Sequence, residues 1–320
     1  RFITQLESEY KSTQINYLSY ESELFSKENI NEIVNKGCNE LIDNWLVSGI
    51  SASSITTYFR CPVSFYCKYI LGIKEPTEVE ENLNPMTFGN LAHSILEKIY
   101  PHKILNVRDF KKMNQGIDLL IKDEMFKILG TRDLRGINYA NFKMAKELIT
   151  KMLDYEMSLI KKGDKIEIID IERKIDLEIN TANNKIKFFA KIDRIDRFEK
   201  NLRIIDYKTG RVDDKELNFK YFDNYEEIKN KPKAFQLLFY LFLASNCDEM
   251  KNEKIISANI SLKEIDDGFK FLNKGQEIFE TNNNFQTDFL NLIETIIREI
   301  RTKNYSSCKS DSCIYCKNLF

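Results

Sequence analysis

The sequence lacks several features that would assign it to a specialised class of protein. Its formal net charge is only −1 over 320 residues, so binding of nucleic acid would require a local basic patch. The longest apolar run, residues 237–244, is far too short to cross a bilayer, and no signal peptide is visible. Repeats and low-complexity tracts are also absent. We therefore expect a cytoplasmic protein with no membrane partner.

What is present is the composition of an ordinary globular protein. The chain is 42% hydrophobic and 30% charged, and its length suits one large domain or two modest ones. It begins at Arg1 instead of a methionine, which suggests a fragment of a longer protein. Residues 1–49 carry no recognisable chemistry, and we interpret them as the helical tail of a preceding domain or a linker. Residues 50–320 are interpreted as one domain with a flanking cysteine site.

The spacing of apolar residues predicts helices in the first half of the chain and a sheet in the second. Helices are predicted at about 51–60, 87–100, 109–129, 138–161, 234–244 and 285–301. Strands are predicted at 166–179, 185–198, 202–207, 255–262 and 269–272. Residues 212–231 are predicted to form a polar loop. This order of elements favours an α/β fold with a helical N-terminal part.

Two neighbouring strands carry the residues with the clearest chemistry. The first contains Asp193, and the second ends at Asp206, with Lys208 two residues further on. Pairing across the turn at 199–201 would bring Asp193 close to Asp206, and strand alternation places Lys208 on the same face as Asp206. Two carboxylates and one lysine that converge at a sheet edge are typical of metal-dependent phosphodiesterases. We therefore interpret the protein as a DNA nuclease.

The charge of this group indicates the chemistry. Asp193, Asp196 and Asp206 accompany a single lysine, Lys208, so the bare site would repel a phosphodiester. A divalent cation removes that repulsion, polarises a phosphoryl oxygen and supplies hydroxide from bound water. Mg²⁺ or Mn²⁺ suits such oxygen ligands, and Lys208 would contact the scissile phosphate and orient the attacking water. Asp196 is the weaker ligand candidate, because it can instead pair with a neighbouring arginine.

Two predicted helices contribute further candidates. His93 lies on the helix at 87–100 and could reach the metal, although such a residue is more often a polar group of the surface or core. Gln236 and Tyr240 are one helical turn apart on a strongly apolar helix. Gln236 could support the active site or contact the DNA backbone. The alternative is that both are polar residues at the edge of a core helix.

The chain ends in a cysteine cluster. Cys308, Cys313 and Cys316 fall within nine residues, a spacing that favours a metal site in a reducing compartment. Tetrahedral zinc or a four-iron cluster needs a fourth ligand. Cys61, at a predicted helix break, is the best candidate for it, and Cys67 is the second.

Five sequence blocks together resemble the PD-(D/E)xK nucleases of the RecB and AddB type. In order they are SASSITTYFRCPVSFY at 51–66, TFGNLAHSILEKIY at 87–100, KIDRID at 191–196, IIDYKTG at 204–210 and QLLFY at 236–240. Their order and spacing make the resemblance specific, and it covers roughly residues 51–316. The resemblance implies a restriction-endonuclease-like fold, in which helices flank a central mixed β-sheet.

The resemblance also implies roles for individual residues. The implied metal ligands are His93, Asp193, Asp206 and the carbonyl of Tyr207. Lys208 is the implied catalytic lysine, and Gln236 with Tyr240 forms the helix motif that follows it. The block before Asp193 has Ala190 where the family usually has glycine.

In AddB-type members, one early and three late cysteines hold a four-iron four-sulfur cluster. The corresponding residues here are Cys61, Cys308, Cys313 and Cys316. Their late spacing, Cys-x4-Cys-x2-Cys, departs from the family's Cys-x2-Cys followed by a more distant third cysteine. Either Cys308 substitutes for that third ligand, or the ligand is lost or truncated.

The function implied is that of a Mg²⁺- or Mn²⁺-dependent deoxyribonuclease, an exonuclease acting on single-stranded DNA or duplex ends. The chain would be the C-terminal nuclease domain of an AddB-like subunit, which works with a helicase–nuclease partner in double-strand break repair and recombination. One alternative is a stand-alone nuclease of the CRISPR-adaptation type, which residues 1–49 disfavour. Another is a catalytically inactive DNA-binding structural module, which the complete set of site residues disfavours.

Overall fold

A computed structural model describes residues 38–73, 82–181, 184–251, 253–303, 305, 313 and 316 of the chain. Most of the predicted N-terminal tail, residues 1–37, lies outside the described residues. The rest of that segment contains helix α1, whose Ile42, Trp45 and Leu46 are buried. Ile50, just after α1, forms a bridge with Phe188 of the sheet.

The N-terminal half is helical, as the 3.6-residue spacing of its apolar side chains predicts. The helices are α1 (Cys38–Ser48), α2 (Ala52–Arg60), α3 (Pro62–Phe65), α4 (Pro85–Ile99), α5 (Val107–Leu129) and α6 (Gly136–Lys161). Ser51 and Asn84 begin α2 and α4, because each side chain accepts a backbone N–H of the first turn. Pro62 and Pro85 occupy first helical positions, where no backbone donor is required.

A five-stranded mixed sheet forms the centre of the C-terminal half, with the strand order β1-β2-β3-β5-β6. Its strands are β1 (Ile166–Asn180), β2 (Lys185–Phe198), β3 (Asn201–Lys208), β5 (Ile255–Ser261) and β6 (Phe269–Phe271). β2 pairs antiparallel with both β1 and β3, whereas β3 pairs parallel with β5. The predicted α/β fold is confirmed. Asp206 and Lys208 lie at the end of the central strand β3, and not on an outer strand of the sheet.

Helices pack on both faces of this sheet. Side chains of α4, α5 and α6 form one apolar cluster with Ile205, Tyr207 and Ile260. The very apolar helix α8 (Pro232–Ser245) contacts β2, β3 and β5, and it also packs against α9 (Phe285–Thr302). Within the described part of the chain, no helix has the length and apolar composition needed to cross a membrane.

The prediction of a polar loop over residues 212–231 is wrong in part. That segment contains the short strand β4 (Asn218–Phe219) and the helix α7 (Tyr225–Lys229). β4 pairs with β7 (Asn273–Lys274), which in turn pairs with β8 (Glu277–Ile278). Strands of two residues are too short to show a period, and β4 depends on a partner more than 50 residues away along the chain.

Candidate active site

The end of β3 brings three predicted residues together. The register Arg194↔Ile205 places Asp193 on β2 next to Asp206 on β3. Lys208 Nζ lies 2.6 Å from Asp206 Oδ2, so the predicted shared face is confirmed by the geometry. The backbone N–H of Tyr207 donates to Asp193 Oδ2 at 2.8 Å. This hydrogen bond fixes the Asp193 carboxylate relative to the strand that carries Asp206.

Helix α8 provides a second partner for Lys208. Lys208 Nζ donates to Gln236 Oε1 at 2.9 Å, and Gln236 Nε2 donates to the Tyr240 hydroxyl at 2.8 Å. Burial raises the pKa of Tyr240 well above its usual value, with Asp206 and Asp193 contributing in the same direction. Tyr240 is therefore a neutral phenol at physiological pH. The structure places both helix residues in a hydrogen-bonded chain that ends at Lys208.

His93 reaches the same place from α4. Its Nδ1 lies 3.2 Å from Asp193 Oδ1, and its ring meets the Tyr207 ring edge-on at a centroid distance of 6.1 Å. Burial lowers the pKa of His93, but the hydrogen bond to Asp193 and the charges of Asp193, Asp206 and Glu172 outweigh burial and raise it overall. The structure thus brings the predicted histidine into contact with the predicted aspartate.

Glu172 on β1 is a site residue that the sequence analysis missed. Its Oε1 lies 4.0 Å from His93 Nδ1, and its carboxylate pairs with Lys191. Potential ligand atoms of His93, Glu172 and Asp193 all lie within 4.8 Å of one another. Glu172 also has a φ of 55°, a left-handed conformation that is rare for a residue inside a strand. Such local strain is concentrated at functional sites.

Asn259 on β5 is a second residue without a sequence signal. Its Nδ2 donates to Asp206 Oδ2 at 2.8 Å, across the parallel pair Asp206↔Asn259. Asn259 Oδ1 is buried and has no hydrogen-bond partner among the residues that the structure describes. An unsatisfied buried acceptor beside a carboxylate fits a position that takes a cation or its bound water.

Two carboxylates of the site have raised pKa values, mainly because they are buried. Burial raises the pKa of Asp206 from 3.8 to about 6; Lys208 lowers it, and Asp193 raises it further. Burial likewise raises the pKa of Glu172, against the lowering effect of Lys191. Carboxylates with pKa values shifted in this way mark a candidate functional site, and a divalent cation would stabilise their ionised forms.

Asp196, the weaker ligand candidate, belongs to a buried network of ion pairs and not to the group around Asp206. It is fully buried, and it accepts hydrogen bonds from Arg194 and from Arg203, whose Nε lies 2.8 Å from Asp196 Oδ1. Arg194 also pairs with Glu156 at 2.8 Å and donates to the Tyr207 hydroxyl at 3.2 Å. Burial raises the pKa of Asp196, but the two arginines outweigh burial and lower it. This network supports the strands beneath the site.

Three of the four predicted cysteine ligands lie together. Cys61 Sγ is 3.4 Å from Cys313 Sγ and 3.7 Å from Cys316 Sγ. Cys67, the second candidate for the early ligand, belongs to the same buried cluster. Cys308 lies outside the described residues. The helix break before Pro62 therefore does bring the early cysteine to the late pair.

Comparison with known proteins agrees with this geometry. Residues 49–318 match the model of the PD-(D/E)XK nuclease superfamily. A protein of Rickettsia felis, named only "Uncharacterized protein", is 27% identical over 219 residues, which are 67% of this chain and 24% of that protein.

Two further relatives have functional names. A protein of Carboxydothermus hydrogenoformans, named as a subunit of an "ATP-dependent helicase/deoxyribonuclease", is 27% identical over 224 residues, 65% of this chain and 19% of that protein. The "Exonuclease/helicase subunit RexB" of Streptococcus pneumoniae is 24% identical over 183 residues, 55% of this chain and 16% of that protein. In these alignments the chain spans about a quarter or less of each relative's length.

Proposed function

The chain belongs to the PD-(D/E)XK nuclease superfamily, and from this premise we propose that it is a deoxyribonuclease dependent on Mg²⁺ or Mn²⁺. One observation carries the proposal: Asp193 and Asp206 lie on adjacent strands, and Lys208 Nζ lies 2.6 Å from the Asp206 carboxylate. A structural ion pair at a strand end would not require a second buried carboxylate and a histidine beside it.

The donor atoms fit a hard divalent cation. His93, Asp193, Asp206 and the Tyr207 carbonyl would hold it, and oxygen-rich sets of this kind suit Mg²⁺ and Mn²⁺. When bound, the cation polarises a phosphoryl oxygen and lowers the pKa of bound water. The buried carboxylates and the unsatisfied Asn259 Oδ1 support such an occupant.

The chain's own side chains then position the substrate. Lys208 is an ammonium donor whose direction is fixed by Gln236, and Gln236 is held in turn by Tyr240. A donor that is oriented in advance stabilises the negative charge that develops on the phosphate without a cost of reorganisation. We assign Lys208 to the scissile phosphate and to the attacking water, and Gln236 and Tyr240 to holding Lys208.

The names of the relatives support a biological context. Since the Carboxydothermus and Streptococcus proteins are named as helicase/nuclease subunits, we propose that residues 50–320 are the nuclease domain of a comparable protein. Residues 1–49 would connect it to a preceding domain. The substrate would be DNA ends in break repair and recombination, cut exonucleolytically in the cytoplasm together with a helicase–nuclease partner.

The cysteine group would hold a structural metal. The Sγ separations of 3.4 and 3.7 Å are close to the edge of a tetrahedron around one ion, about 3.8 Å for zinc–sulfur bonds of about 2.3 Å. In the four-iron cluster that the family resemblance implies, each thiolate binds a different iron, so the sulfurs would lie further apart. The sulfur separations therefore favour zinc, whereas the family resemblance favours the iron cluster. Iron and acid-labile sulfide in anaerobically purified protein would assign the site to the cluster. A colourless protein with one zinc per chain would assign the site to zinc.

The nuclease proposal is tested with linear DNA, Mg²⁺ or Mn²⁺, and three proteins. The native chain should degrade the DNA, and Lys208→Met should lose about 100-fold or more of that rate. Lys111→Met is the matched control, because Lys111 completes an Asp-x-Lys triplet on α5 but is itself exposed, and it should leave cleavage unchanged. Native protein that binds DNA but leaves it intact with both metals would instead establish a DNA-binding structural module.

A further inference from the structure

Glu172 is placed at the metal site by its strand and by its backbone. Residues 171 and 173 pair with 194 and 192, so Glu172 lies directly across from Asp193 in the β1–β2 ladder. Its left-handed φ of 55° interrupts the strand at that one position. Its side chain is only 9% exposed, although most of its neighbours on β1 are partly open to solvent.

We propose that Glu172 is a ligand of the divalent cation, acting with His93 and Asp193. The proposal rests on the proposed function and adds a residue that lies outside all five sequence blocks. Ligands of an octahedral cation at about 2.1 Å are about 3.0 Å apart when adjacent and about 4.2 Å apart when opposite. The distances from His93 Nδ1 are 3.2 Å to Asp193 Oδ1 and 4.0 Å to Glu172 Oε1. Both distances fit one shared cation.

Lys191 on β2 is a further residue that the Glu172 carboxylate contacts. The Lys191 ammonium pairs with Glu172 Oε2, whereas Glu172 Oε1 faces His93. The Lys191 side chain is 52% exposed, so it can turn into solvent at little cost. Solvent on the Lys191 side screens this ion pair and lowers its contribution to stability. The pair with Lys191 therefore does not explain why a glutamate is kept buried at this position.

The experiment measures binding of Mn²⁺ to the complete chain without DNA, from the electron paramagnetic resonance signal of the free ion. Glu172→Gln should weaken binding at least tenfold, because a charged ligand is lost. Lys191→Met, the matched control, should bind Mn²⁺ as tightly as the native chain or tighter, because a competitor for Glu172 is removed. Should Glu172→Gln fold poorly, Glu172→Gly removes the same carboxylate and suits the positive φ.

Binding within twofold of native in Glu172→Gln, or an equal loss in Glu172→Gln and Lys191→Met, would overturn the proposal. The second result would show that the ion pair itself is what matters. Failure of this proposal can be told apart from failure of the nuclease proposal. The nuclease proposal is tested by comparing DNA cleavage by the native chain and by Lys208→Met, and both of these proteins retain Glu172.

Discussion

The same substitution should have opposite effects at two buried aspartates of this protein. Asp206→Asn should stabilise the metal-free fold, whereas Asp196→Asn should destabilise it strongly. Both residues are almost inaccessible, at 2% and 0% exposure. They differ in their surroundings, because Asp206 lies beside other carboxylates and one lysine, whereas Asp196 lies between two arginines.

The size of the gain at Asp206 follows from its pKa. The folded protein raises this pKa from 3.8 to about 6, mainly by burial and partly through Asp193. Ionised Asp206 therefore costs stability, fully above pH 6 and not at all below pH 3.8. A shift of about 2 units corresponds to at most about 3 kcal/mol. Asparagine can still accept the hydrogen bond from Asn259, so we expect a gain of about 1–3 kcal/mol at pH 8.

The loss at Asp196 has a different origin. Arg194 retains Glu156 as a partner when Asp196 becomes neutral, but Arg203 loses the carboxylate that accepts from its Nε and Nη2. Removing one partner of a buried charge pair costs about 3–5 kcal/mol, because it leaves an uncompensated charge. Asp196→Asn should therefore be destabilised by about that amount.

Urea unfolding at pH 8 in EDTA, followed by circular dichroism, measures both effects. Repeating the experiment with excess Mg²⁺ should stabilise the native chain but not Asp206→Asn. The gain in stability from Asp206→Asn should also disappear at pH 3.5, because Asp206 is then protonated in both the folded and the unfolded chain. Equal destabilisation by the two substitutions in EDTA would refute the assignment of Asp206 to a cation site and of Asp196 to the supporting network.

Three further predictions concern other parts of the molecule. Glu124→Gln should lower the free energy of unfolding in urea by about 1–2 kcal/mol at pH 7 and by almost nothing near pH 2. Burial raises the pKa of Glu124, but Lys127, Lys98 and Ser94 outweigh burial and lower it to about 2. The size of the effect is reduced because both lysines are exposed. An equal cost at both pH values would exclude this ion-pair origin. Asn259→Ala should weaken Mn²⁺ binding about tenfold, because Asp206 loses the hydrogen bond that orients it, and unchanged affinity would contradict that role. Cys61→Ser should reduce the metal bound at the cysteine site and lower the melting temperature. Cys247→Ser, which lies outside that cluster, should change neither quantity. Equal metal content in both variants would show that Cys61 is not a ligand.

The sequence predicts the site best where short connections decide the geometry. Asp193 and Asp206 belong to strands joined by a tight turn, so their pairing follows from the register alone. Lys208 follows from strand alternation. Gln236 and Tyr240 follow from helical spacing, although the hydrogen bonds that link Lys208 to Gln236 and Gln236 to Tyr240 become visible only in the structure.

Residues that depend on distant partners could not be predicted in the same way. The sequence indicates that Asp196 can pair with a neighbouring arginine, and Arg194 does pair with it, but its second partner Arg203 and the link from Arg194 to Glu156 are visible only in the structure. Glu172 lies in a strand rich in charged residues, where a solvent-facing side chain is the natural expectation. Its side chain contacts His93 on α4 and Lys191 on β2, and no local sequence pattern predicts either contact.

The central claim is that Asp193 and Asp206 share a divalent cation beside Lys208. Fe²⁺ bound in place of Mg²⁺ generates hydroxyl radicals with ascorbate and peroxide, and these cleave the backbone near the ion. We predict cuts close to His93, Asp193 and Asp206 that excess Mg²⁺ suppresses and that Asp193→Asn abolishes. Cuts confined to other parts of the chain, or cuts at the site that survive Asp193→Asn, would contradict the account.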